Sequence, residues 1–170
     1  MSPKRLLASA VAVGILIAIP QSAGVAQRRS GGSAILGVWR VSEITYTGPS
    51  ARTVKNPQPG ILIFTRGYYS ANVVTADTPR PELPPPDKRT DKDIAQAFGP
   101  FSANACTYET KGDEPINRII VAKNPSVMSP GSFGTHQFRF DGNDSLSMTF
   151  VANRNGPIAN PTTTKLTRAE

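Results

Sequence analysis

Few residues in this chain are able to do acid–base or polar chemistry, and their spacing limits what they can do together. There is one histidine, His136, and one cysteine, Cys106. A His-pair zinc motif, an all-thiolate metal site and an intrachain disulfide are therefore excluded. His136 alternates with Phe138 and Phe140, so its imidazole shares an apolar strand face. Glu43 shares a face with Trp39, Val41 and Thr45 if that strand is regular. A carboxylate turned into an apolar interior is costly unless paired. Arg118, alternating with Ile116 and Ile120, is one expected partner, and His136 is the other. Asn104, Cys106 and Tyr108 alternate together as further polar lining. Tyr68 and Tyr69 face opposite ways, so only one can line an interior, and Tyr69 is the candidate.

These groups support two chemistries. As a lining, they would hold the polar end of a small molecule. As an acid–base set, Glu43 or His136 would move a proton while Arg118 or Tyr108 steadied a developing enolate. A bulge in the first strand would instead turn Glu43 outward and bring Ile44 and Tyr46 in. A hydrogen-bonded core imidazole is the plainer role for His136, and a small buried hydrophobe the plainer role for Cys106. Asp141 and Asp144 supply too few oxygens for calcium. No catalytic residue, metal or cofactor is assigned.

The elements that must carry these residues have a period of two. In Ser145–Ala152, Leu146, Met148, Phe150 and Ala152 share one face while Ser145, Ser147 and Thr149 take the other. Asp141-Gly-Asn-Asp144 joins this run to the alternating Gly134–Phe140, a hairpin signal. The same pattern predicts strands at Val38–Tyr46, Gly60–Arg66, Tyr68–Thr75, Ser102–Thr110, Ile116–Ala122 and Thr162–Arg168. About eight short, locally joined strands indicate an antiparallel barrel or sandwich. Thr78–Lys88 holds five prolines and reads as an extended loop. Thr90, with an acid three residues on, caps a short helix over Asp91–Phe98, closed by Gly99-Pro100. Such a loop and helix would cover an open end of a barrel.

The N-terminal stretch reads as an address. Lys4 and Arg5 precede an apolar run, Leu6–Ile19, and the small-residue sequence ending at Ala26. This is the pattern of a signal peptide over residues 1–26, and the run is too short for a comfortable span of about 20 residues. Secretion or a periplasmic location is expected, with no membrane insertion after cleavage. Residues 27–33 read as a disordered lead-in, and 34–169 as one domain. The whole chain carries a net charge of +7, of which Lys4 and Arg5 contribute two. The remaining cations are scattered without an aromatic-interleaved stripe, which argues against a nucleic-acid partner.

Gly37-Val-Trp39 at the start of the first strand, with Arg168 near the end of the last, resembles the lipocalin superfamily. The sharper similarity is to microbial lipocalin-like domains, carried by Leu36–Ser42, Pro59–Thr65, Gly67–Ala71, Thr107-Tyr108 and Phe140-Asp141-Gly142. It spans residues 34–169. Those domains often have Gly where Cys106 stands and His near Asn117-Arg118. The resemblance implies an all-β, eight-stranded antiparallel up-and-down barrel, with the short helix between strands three and four. Gly37, Trp39 and Arg168 would then close one end, the guanidinium lying across the indole. The expected function is a monomeric or weakly dimeric barrel that binds a small hydrophobic molecule through Glu43, Tyr69, Asn104, Tyr108, Arg118 and His136. An isomerase or cyclase using the same cavity, or a cell-envelope protein docking through Thr78–Lys88, is the alternative.

Overall fold

The computed structural model describes residues 34–111 and 114–170, so the expected signal peptide and lead-in lie outside the described residues. Ten strands follow the predicted turns: β1 (Gly37–Tyr46), β2 (Arg52–Lys55), β3 (Gly60–Phe64), β4 (Tyr68–Val74), β5 (Phe101–Lys111), β6 (Glu114–Ala122), β7 (Gly134–Asp141), β8 (Ser145–Asn153), β9 (Gly156–Pro157) and β10 (Thr163–Arg168). All eight predicted strands are present. The very short β2 and β9, each pairing with one end of a neighbour, were not predicted.

Eight of the strands close a barrel in the order β1-β3-β4-β5-β6-β7-β8-β10, every pairing antiparallel. Closure is made by β10, whose Leu166 sits opposite Val41 of β1 and Leu146 of β8. The helix α1 (Asp91–Phe98) follows β4 rather than the third strand in chain order, because β2 intervenes; β4 and β5 are the third and fourth strands of the barrel itself.

The predicted capping box is formed. Thr90 Oγ1 accepts from the Asp93 backbone N–H, and Asp93 Oδ2 accepts from that of Thr90. Helix α1 lines none of the barrel's interior cavity. With the proline segment it encloses a crevice of about 460 Å³ against Pro59 and the outward-facing Val74. Leu83, Ala97 and Phe98 give the crevice apolar walls. Arg80 stacks 4.8 Å above the Phe101 ring and donates to the Ala97 carbonyl, fixing the segment in place.

At the other end the barrel is sealed. Trp39 is fully buried, and its indole N–H donates to the Ile35 carbonyl at 2.7 Å. The Arg168 guanidinium lies 4.2 Å above the ring and donates to the carbonyls of Ala34, Leu36 and Asn143. Planar forked donors and a weakly hydrated cation suit this position better than an ammonium. Gly37 is required beside it: its φ is +123°, and an added Cβ would lie 2.5 Å from the Glu170 carbonyl oxygen. Gly37→Ala should therefore cost about 1–3 kcal/mol in urea denaturation. An unchanged midpoint would contradict this account of the seal.

Candidate functional site

The two ends of the barrel are filled differently. In the sealed half, Leu62, Phe64, Leu146 and Leu166 pack with Trp39. Phe64 stacks on Tyr69 at 5.1 Å and takes Tyr108 and Phe138 edge-on at 5.9 and 6.1 Å. The open half holds a cavity of about 590 Å³.

The cavity exists because one seam of the sheet is short. β6 and β7 pair only through Ile116–Thr135 and Asn117–Gly134, and beyond Asn117 the strands part. The connection Pro125–Phe133 stands over the gap and contributes Ser126, Val127, Ser132 and Phe133 to the wall. The interior wall comes from Tyr69 of β4, Asn104 of β5, Asn117 and Ile119 of β6, His136 of β7 and Phe150 of β8.

Polar side chains cross this wall in a chain. The Asn117 amide N–H groups reach the Tyr69 hydroxyl at 2.9 Å and Cys106 Sγ at 3.9 Å, and the Cys106 thiol reaches Asn104 Oδ1 at 3.4 Å. Asn117 is 4% exposed, and its Oδ1 has no hydrogen-bond partner. Leaving a buried acceptor bare costs about 1–3 kcal/mol. Burial, with Cys106 alongside, holds the Tyr69 hydroxyl well above the usual phenol range, so it stays protonated. His136 packs against the Phe150 ring at 5.1 Å, and burial lowers its pKa from 6.5 to about 4. The imidazole is neutral at physiological pH.

Three of the six expected ligand-contact residues, Tyr69, Asn104 and His136, line this cavity. The other three do not. Glu43 faces outward because β1 is bulged between Val41 and Glu43, the alternative that puts Ile44 inside. The bulge also sets Glu43 opposite Lys165 and Lys55 in the neighbouring strands. Arg118 is exposed, because the interior face of β6 is Pro115, Asn117 and Ile119 rather than Ile116, Arg118 and Ile120. Tyr108 does face inward, but in the sealed half, where its hydroxyl donates to the Thr65 carbonyl at 2.7 Å. Glu43, Arg118 and His136 are thus not brought together.

Asn117, Ile119 and Phe150 were missed as site residues. The signal for the first two was available: putting Ile116 and Ile120 inside required burying the cation between them, whereas the opposite face buries none.

Strand order, closure through the first and last barrel strands, and the guanidinium over the sealed indole together decide the architecture. The barrel is lipocalin-like. No protein-family model and no curated protein matches the sequence. Among solved structures, the chain is similar to a lipocalin-like protein from Bacteroides uniformis, with 15% identity, coverage of 79% of this chain and 98% of that one, and a TM-score of 0.44. It is similar to an uncharacterized protein from Bacteroides eggerthii with 11% identity, coverage of 78% and 98%, and a TM-score of 0.42. A redesigned beta barrel gives 14% identity, coverage of 83% and 96%, and a TM-score of 0.41.

Proposed function

We propose that this protein is an exported binding module that holds one small, mainly apolar molecule in the open half of its barrel and performs no chemical step on it. The observation that carries the reading is the cavity of about 590 Å³ beneath a parted seam of the sheet, with walls of mixed apolar and polar character. That size and lining suit a small organic ligand. The sealed end supports the same reading, since a rigid plug allows the other half to stay unfilled without collapse. Export is supported by Lys4-Arg5, the apolar run Leu6–Ile19 and the small residues ending at Ala26.

An isomerase or cyclase reading loses its machinery. It had Glu43 or His136 as the acid–base group and Arg118 or Tyr108 to steady charge; Glu43 and Arg118 face outward and Tyr108 lies in the sealed half, which leaves His136 alone in the cavity. A lone neutral imidazole has no carboxylate in the cavity lining to orient it.

Native mass spectrometry of the protein purified from its own host tests the proposal. The expected species is a monomer of residues 27–170 carrying one additional small molecule that is released on denaturation. A bare polypeptide in every preparation would overturn the binding reading, and a polypeptide retaining Met1 would overturn export.

A further inference from the structure

The polar groups around the cavity are uncharged except at its mouth. Tyr69, Ser102, Asn104, Asn117 and His136 line the space, and no Asp or Glu borders it. Arg154, the one cation in the lining, is exposed at the rim.

Several of these groups have polar capacity left unused among the described residues, His136 and Asn117 included. The His136 imidazole makes no side-chain hydrogen bond among the described residues, and burial alone accounts for its lowered pKa. A neutral imidazole offers one N–H donor and one bare nitrogen acceptor. Asn117 spends its N–H groups on Tyr69 and Cys106, leaving Oδ1 bare. That oxygen is closed off by Gly134 and Phe150: a Cβ added at Gly134 would lie 2.8 Å from Oδ1 and 3.1 Å from the edge of Phe150. Gly134 and Phe150 both belong to the cavity wall.

Resting on the binding reading above, we infer that the cavity takes an uncharged molecule whose buried end is a hydroxyl or carboxamide on an apolar body, and disfavours the matching carboxylate. A hydroxyl or carboxamide both donates and accepts, which matches a neutral imidazole in the cavity lining with neither nitrogen partnered by a described side chain. A carboxylate brings no donor for the bare nitrogen of the imidazole. It finds no cation deeper than the rim, and a desolvated anion without a partner is costly. His136 would have to take up a proton against its burial to serve as that partner.

Calorimetric titration of the full-length mature protein with decanamide, 1-decanol and decanoate at neutral pH tests the inference. The amide and the alcohol should bind at least about 10-fold more tightly than decanoate, the scale set by an unpaired buried charge. His136→Leu should shrink that preference to under about 3-fold, while His136→Gln, which keeps a donor and an acceptor, should preserve it. Thermal melts of both variants show that each is folded. Decanoate binding as tightly as decanamide, or a preference unchanged in His136→Leu, overturns the inference while leaving the cavity reading intact. Binding of none of the three, by a protein that also carries no native molecule, overturns both.

Discussion

Trp39→Ala is expected to lower the unfolding free energy by about 3–5 kcal/mol, the range for deleting a fully buried aromatic side chain. Three losses combine. The indole is completely enclosed, so its removal leaves a void among Ile35, Leu62 and Leu166, residues already packed at zero or near-zero exposure. Its N–H no longer satisfies the Ile35 carbonyl. The Arg168 guanidinium loses the aromatic face 4.2 Å beneath it, a contact worth about 0.5–2 kcal/mol when shielded from water. In a domain of this size the melting temperature should fall by roughly 10–20 °C. Circular dichroism is the right probe, because Trp39 is the chain's single tryptophan and its fluorescence disappears with it. A loss below about 1 kcal/mol would contradict the seal.

The second large effect is an acid destabilisation centred on His136. The unfolded imidazole titrates near 6.5 and the folded one near 4. Above the unfolded value the group is neutral in both states, and folding is unaffected. Between the two values the unfolded chain binds a proton that the folded chain refuses, so stability falls as pH falls. Below the folded value the loss is complete, about 3 kcal/mol at most. The cavity lining supplies no carboxylate to offset it. His136→Gln has no such titration, so the stability difference between wild type and this variant should shrink by that amount between neutral pH and pH 4. Nuclear magnetic resonance should find the imidazole proton lost near the lower value. Titration near 6.5 would remove the effect and show the ring to be solvated.

Much of the architecture was legible because short-range patterns and turn chemistry are local. The alternation in Ser145–Ala152 and the Asp141-Gly142 turn specify a hairpin with an apolar inner face, and Gly142 adopts φ +67° as such a turn requires. Thr90 and Asp93 announced the helix start for the same reason. The placement of the helix was not legible, since an apolar stripe reports that something must cover it and not which face of the sheet does so.

The site was harder to read, because a strand's facing depends on register, and one extra residue inverts every side chain beyond it. Bulges in β1, between β5 and β6, and between β7 and β8 each do this. Glu43 left the interior by that route. The β6 face was misassigned because both of its faces carry isoleucines, so hydrophobicity alone did not choose between them.

Composition, period and the Gly37–Trp39 and Arg168 signals by themselves determined an all-β chain whose first and last strands meet over an indole. Only the tertiary structure decided that the open half of the barrel holds a cavity, that His136 faces it with unused hydrogen-bonding capacity, and that α1 does not line it. Residue type and spacing act within a strand, whereas a cavity arises where two strands part, and that depends on how all eight strands share one closed circumference.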